Sequence, residues 1–221
     1  MNQDKYFMNI AIDEAKKATE IVYPNPKVGC IIVQDGKIVS RGYHKKYGGP
    51  HAEVEAINNC KVELSNATMY VTLEPCNHDG KTPPCSELIN SQRFKRIVVA
   101  SKDPNPAIKE GIKSLEKKGL RVETGICENN AKKMNRRFFT FHEKKRPYVI
   151  LKFASTLDGF ISELNGHSKW ITSKNSRRSV HSLRASCDAI LVGRKTIEAD
   201  NPSLTSHNVG ADPRIVILDP S

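Results

Sequence analysis

His51, Glu53, Cys76 and Cys85 are the residues of this chain whose types and order could do chemistry. One imidazole and two thiolates make three zinc ligands, and three protein ligands leave the fourth tetrahedral position to water. Zinc acidifies a water there into a nucleophile at neutral pH. Glu53 lies two residues past His51, where a carboxylate can sit beside that water and shuttle protons. On this reading His51, Cys76 and Cys85 are metal ligands, and Glu53 is the catalytic proton carrier of a hydrolase. The bland alternative is a buried cysteine pair and a satisfied histidine. It is the weaker one, because cysteine clusters in a reduced protein are more often metal sites than packing accidents.

The elements around these residues alternate between strand and helix. Residues 4–20 carry Met8, Ala11, Ile12 and Ala15 at helical spacing. Prolines at 24 and 26 mark a loop before a buried strand at 28–33, and Asp35-Gly36 is a hairpin signal before a second strand at 37–42. Helices are expected at 51–59, 85–90 and 106–118, and strands at 68–73, 96–101 and 121–124. His51 and Cys85 then stand at the starts of two helices, where the positive helix end favours thiolate over thiol. The alternation argues for a three-layer α/β sandwich. The pattern breaks near Lys144-Lys145-Arg146-Pro147 and restarts with a strand at 148–153, a helix at 173–185, a strand at 189–192, a polar loop and a strand at 214–218. Two domains are expected, 1–146 and 147–221, the second stopping before its sheet is complete.

Composition fits a globular enzyme: 38% of residues are hydrophobic and 27% charged, with no apolar run of membrane-spanning length and no secretory leader pattern at the N-terminus. Six cysteines stand scattered at 30, 60, 76, 85, 127 and 187, which reads as a reduced cytoplasmic protein rather than a disulfide framework. Thirty-five Lys and Arg against 24 Asp and Glu give a formal charge of +11, so anionic ligands are favoured. The densest basic stretch, 132–146, interleaves Phe138, Phe139 and Phe141. It could be a nucleic-acid surface with stacking platforms. A basic helix with its aromatics turned to the core is the preferred reading.

The order His-x-Glu, Pro-Cys, Cys resembles that of zinc deaminases. Eight residues, NHDGKTPP, separate the two cysteines here. With PNPKVGC at 24–30, GYHKKYGGPHAEVEA at 42–56, YVTLEPCNHDGKTPPC at 70–85 and DPNP at 103–106, the chain resembles the bifunctional riboflavin-biosynthesis deaminase–reductase family. LKFASTLDG at 151–159, SKWITS at 168–173 and TIEADNPSLT at 196–205 extend the resemblance.

That resemblance implies a cytidine-deaminase-like α/β/α sandwich followed by the first part of a dihydrofolate-reductase-like α/β domain. It implies zinc-dependent deamination of 2,5-diamino-6-ribosylamino-4(3H)-pyrimidinone 5′-phosphate, then NADPH-dependent reduction of the ribosyl group to ribityl. By position, Asn25, His44, His78, Lys81, Asp103 and Asn105 would contact the deaminase substrate. Lys152 (read as a buried strand lysine), Ser168, Arg184, Leu204 and His207 would contact the reductase substrate, and Ala154, Trp170, Thr196 and Asp200 the NADPH. His207 stands where the family has an arginine, and no GxGxxG occurs. The reductase half is expected to be too short to work. The expected partners are the phosphorylated pyrimidine and further copies of the chain, with no nucleic acid and no membrane. Two alternatives stand: a nucleic-acid deaminase such as one acting on tRNA adenosine, and a non-catalytic zinc protein whose site His78 closes as a fourth ligand.

Overall fold

The computed structural model describes residues 3–19, 22–78, 83–106, 108 and 110–220. The chain divides into two units, Met1–Val149 and Ile150–Ser221.

The first unit is built on a five-stranded sheet of order β2-β1-β3-β4-β5. Its strands are β1 (Gly29–Gln34), β2 (Lys37–Tyr43), β3 (Thr68–Val71), β4 (Arg96–Val99) and β5 (Val122–Thr124). β1 pairs antiparallel with β2 and β3, while β3, β4 and β5 run parallel. The β1–β2 hairpin closes at Asp35 and Gly36, both with positive φ (50° and 74°), the type I′ geometry an Asp-Gly pair favours.

Strand periodicity sorts the core into two layers. Cys30 and Ile32 of β1, Met69 and Val71 of β3, and Ile97 and Val99 of β4 point to one face. There they pack against helices α2 (Ala52–Asn58), α3 (Cys85–Ser91) and α4 (Gly111–Lys117). Ile31, Val33, Tyr70 and Val98 point to the other face, against Phe7, Met8, Ala11 and Ile12 of α1 (Gln3–Ala15) and Ala131 of α5 (Glu128–Met134). Strands buried on both faces read as continuous apolar runs, which is why 28–33 stood out in the sequence.

Helix α2 lies so close to β2 that only glycine fits between them. A Cβ on Gly42 would stand 2.4 Å from the backbone O of Ala52 and 2.4 Å from the N of Ala56. Gly42→Ala is therefore expected to push α2 off the sheet, at a cost of about 1–3 kcal/mol. The check is a lower thermal midpoint accompanied by lower activity, because α2 carries Glu53.

Helix α4 begins at Gly111, later than the expected 106. Residues 103–106 are held as a loop instead: Asp103 accepts from the Asn105 N–H at 2.8 Å, and Glu110 takes the left-handed conformation (φ 62°) before the helix. Gly111 also passes the Pro75 carbonyl, which would lie 1.8 Å from an added Cβ. The basic stretch forms α5 and α6 (Arg136–Lys144). Its aromatics do not all turn inward: Phe139 is buried, Phe138 half-buried and Phe141 exposed.

The second unit holds α7 (Lys174–Ala185), β6 (Ala189–Gly193), α8 (Arg194–Asp200) and β7 (Arg214–Leu218). Ser173 caps α7, its Oγ accepting from the Ser176 N–H at 3.2 Å. The expected strand at 148–153 is irregular backbone, because no described strand lies beside it to complete a ladder. Lys152 is accordingly exposed rather than a buried strand lysine. The expected polar loop contains α8.

β6 and β7 pair in parallel as a two-stranded sheet, and every residue of β7 is exposed. Parallel sheets normally have both faces covered, and two strands alone are marginal. Among the described residues of this unit only Leu204, Ser206 and Pro213 are buried. Residues 147–221 expressed alone are expected to give no cooperative thermal transition by calorimetry; a sharp heat-absorption peak would contradict this.

Candidate metal centre and active site

The site forms at one end of the first unit's sheet, where the chain leaves the carboxyl ends of the parallel strands β3 and β4 and where β1 begins. Such crevices are the usual ligand sites of open α/β sheets. After β3 the chain supplies Leu73, Glu74 and Cys76, and after β4 Asp103 and Asn105; Asn25 and Val28 come from before β1 and His44 from after β2.

His51, Cys76 and Cys85 converge, with one donor atom from each lying within 4.8 Å of the others. His51 Nδ1 is 3.2 Å from Cys85 Sγ and 3.5 Å from Cys76 Sγ. Tetrahedral zinc with Zn–S near 2.3 Å and Zn–N near 2.05 Å places its donors roughly 3.5–3.8 Å apart. The donor set and its spacing therefore fit zinc. Among the described residues no fourth His, Cys, Asp or Glu joins this cluster, so His78 does not close it.

Local folding explains how three residues far apart in sequence meet. His51 is the N-cap of α2 and Cys85 the first residue of α3. The Cys85 N–H donates to Cys76 Sγ at 3.3 Å, and the Ser86 N–H donates to the Cys76 carbonyl at 3.1 Å. Ser86 Oγ donates to Asn77 Oδ1 at 2.7 Å, fastening the start of the segment between the cysteines.

The charges are unevenly shared. The Cys85 thiol donates to Cys76, and with further donors at His51 and the Cys85 N–H it holds the Cys76 thiol well below its ordinary range although burial opposes this. Cys85 is pushed well up by that same bond and by burial. The bond to Cys76 raises His51. An entering metal must displace these protons, so metal binding and proton release are coupled.

Glu53 sits in the first turn of α2, 3% exposed, in the same pocket as His51 and Cys76. Burial raises its carboxyl to about 7, against the opposing pull of His51. A carboxyl in that range can both accept and return a proton near neutral pH.

The pocket has a volume of about 270 Å³. Of the substrate-contact candidates, Asn25, His44, His78, Asp103 and Asn105 line it; Lys81 lies outside the described residues. His44 is buried, and a hydrogen-bond chain orients it. Its Nδ1 lies 2.9 Å from the Pro50 carbonyl, which can only accept, so Nδ1 carries the proton. Its Nε2, 3.1 Å from Asn25 Nδ2, must then accept, and the Asn25 amide has its Oδ1 left for a ligand. Burial lowers His44, which keeps it neutral in this role. The Nδ1 of His78 is buried, with no partner among the described residues. Burial lifts Asp103 to about 6.

Sequence reasoning missed three residues here. Glu74 accepts from the N–H of Asp103 at 3.2 Å and of Ile112 at 3.0 Å, tying Asp103 and the first turn of α4 to the segment carrying Cys76. Tyr47 and Phe138 add aromatic wall. Glu74 stood next to Pro75-Cys76 in the sequence and could have been singled out; Phe138 stood out only as an aromatic of the basic stretch, with no sign that it faces this pocket.

In the second unit, Arg184 Nη1 donates to the Thr205 carbonyl at 3.0 Å and the rings of His181 and His207 lie 4.2 Å apart, so Arg184 and the loop from Leu204 to His207 come together. Leu204 is buried and His207 exposed. Ser168, Lys152, Ala154 and Trp170 lie on the irregular stretch before α7, and Thr196 and Asp200 on α8.

Fold and site together define a zinc-dependent deaminase architecture, and residues 1–101 match the family described as the cytidine and deoxycytidylate deaminase zinc-binding region. Residues 147–221 match the RibD C-terminal domain. The chain is 47% identical over 220 residues to the riboflavin biosynthesis protein RibD of Aquifex aeolicus, covering 98% of this chain and 62% of the relative. It is 42% identical over 204 residues to RibD of Escherichia coli, covering 92% and 56%. Among solved structures, a diaminohydroxyphosphoribosylaminopyrimidine deaminase/5-amino-6-(5-phosphoribosylamino)uracil reductase from Thermotoga maritima superposes with a TM-score of 0.88 at 45% identity, covering 98% of this chain and 63% of that one. Over nearly its whole length the chain is similar to RibD riboflavin biosynthesis proteins, cytidine-deaminase-like in its first part and dihydrofolate-reductase-like in its second. It spans about three fifths of the length of these relatives.

Proposed function

We propose that residues 1–146 form a zinc-dependent deaminase that removes an amino group from 2,5-diamino-6-ribosylamino-4(3H)-pyrimidinone 5′-phosphate and releases ammonia, in the service of riboflavin biosynthesis. The observation that carries this reading is the three-donor cluster His51, Cys76 and Cys85, with buried Glu53 in the same pocket. When bound there, zinc supplies a Lewis acid that makes water nucleophilic at neutral pH.

The chain's own residues do the rest. Glu53 takes one proton of the attacking water and passes it to the ring nitrogen, then carries the second, from the newly added hydroxyl, to the amine, which departs as ammonia as the carbonyl forms. Asn25, held by His44, offers its amide oxygen to the ring's donor edge. His78, Asp103 and Asn105 supply further polar contacts, and Lys81 is assigned with them from its position in the sequence. The Thermotoga maritima relative is a diaminohydroxyphosphoribosylaminopyrimidine deaminase, and that substrate is of the class proposed for this chain. The absence of a fourth donor from the described cluster favours this reading over a structural zinc site.

The reductase role belongs to residues 147–221 by family. Trp170, Thr196 and Asp200 are open to solvent, and the Arg177 guanidinium already covers the Trp170 ring at 4.1 Å. The NADPH contacts at Ala154, Trp170, Thr196 and Asp200 and the reductase contacts at Lys152, Ser168, Arg184, Leu204 and His207 are assigned by resemblance to the RibD C-terminal domain that residues 147–221 match. We place the protein in the cytoplasm, where its six free cysteines would remain reduced, and as a homo-oligomer. No helix among the described residues is long and apolar enough to cross a membrane.

The test is specificity. The zinc-loaded protein is offered the diaminopyrimidine phosphate, cytidine and tRNA in parallel, with ammonia as the readout. Ammonia from the first alone is expected; deamination of tRNA and not of the pyrimidine would make this a nucleic-acid enzyme.

A further inference from the structure

We infer that Asn135 is a positioning residue of the deaminase site, acting through the loop that carries Asn25; this rests on the deaminase reading above. Asn135 sits between α5 and α6 and is 7% exposed. Its partner is the backbone of Lys27, 108 residues away: Oδ1 accepts from the Lys27 N–H at 2.8 Å and Nδ2 donates to the Lys27 carbonyl at 2.8 Å. One side chain thus pairs with both backbone groups of one residue, as a neighbouring strand would.

Lys27 lies in a short stretch whose two flanks face the pocket. Asn25 and Val28 both line it. The Val28 carbonyl accepts from the His44 N–H at 3.0 Å, and the Asn25 amide meets His44 Nε2. These bonds fasten the stretch to the end of β2. The Asn135 pair fastens it on the other side, to α6. Asn135 also begins that helix, its carbonyl accepting from the Phe139 N–H at 3.0 Å, and one turn in, α6 presents Phe138 to the pocket wall. A single buried amide therefore sets the spacing between a polar arm and an aromatic wall of the pocket.

Asn135 belongs neither to the metal cluster nor to the pocket lining. Its removal should leave zinc and Glu53 in place and loosen the grip on the substrate ring. Losing an interaction made equally in ground and transition states raises KM and spares kcat.

The experiment is a double-mutant cycle on the full chain: wild type, Asn135→Ala, Asn25→Ala and the double variant, assayed for ammonia release, with zinc content and thermal midpoint measured beside it. Asn135→Ala is expected to raise KM about 10-fold, with kcat within about 3-fold and zinc unchanged. In the Asn25→Ala background the same change should add less than about 2-fold, because residues acting as one unit are not additive. If Asn135→Ala does not fold, the near-isosteric Asn135→Asp decides. It keeps the bond from the Lys27 N–H, loses the one to the Lys27 carbonyl, and should also raise KM. An unchanged KM in an active wild-type background overturns the inference alone, as does an undiminished effect in the Asn25→Ala background. A wild type that releases no ammonia overturns the deaminase reading, and the inference with it.

Discussion

Glu53→Gln is expected to bind zinc as the wild type does and to release ammonia about 10²–10⁴-fold more slowly. Glutamine keeps the shape and much of the hydrogen bonding of glutamate but cannot take up or return a proton. Glu53 is buried on α2, close to the metal donors, and its carboxyl sits at about 7. It is no member of the donor cluster, so the metal should stay. Zinc analysis of the purified variant beside an ammonia assay separates the two effects. Near-normal turnover would remove Glu53 from the proton path; lost zinc would make it part of the metal site.

Cys85→Ser should lose the metal itself. A serine hydroxyl gives up its proton far less readily than a thiol and is a harder donor, poorly suited to zinc beside a second thiolate. Changes in the shell behind the ligands cost about 10–100-fold in affinity, and removing a ligand should cost more. Cys85 is fully buried at the start of α3, and its backbone N–H still reaches Cys76 in the variant, so the fold around the site should hold. Cys127→Ser is the control, since Cys127 lies outside the cluster. The expected outcome is a Cys85→Ser protein without zinc or ammonia release and a Cys127→Ser protein with both. Full zinc occupancy in the first would show that another residue completes the site.

What could be read in advance follows from where each interaction is encoded. Met8, Ala11, Ile12 and Ala15 announce a helix face because their spacing alone decides it, and Asp35-Gly36 announces a turn because two consecutive positive φ angles favour that pair. The metal donors were legible by chemical type, since thiols and imidazole in that order have few other uses. The strand expected at 148–153 failed for the opposite reason: apolar residues make a strand only where a neighbour completes the ladder. The late start of α4 depends on the Pro75 carbonyl passing Gly111 and on Glu74 holding the loop, both set by distant chain. Helix α8 was hidden in a segment that reads as polar. Asn135 was invisible, because an asparagine that pairs with a backbone 108 residues away leaves no local pattern.

The decisive measurement is ammonia release from 2,5-diamino-6-ribosylamino-4(3H)-pyrimidinone 5′-phosphate by the zinc-loaded chain, before and after the metal is stripped by a chelator and restored. A zinc deaminase should give steady release that stops with chelation and returns with zinc. Release that persists without metal, or no release from the zinc-loaded protein, would contradict the assignment.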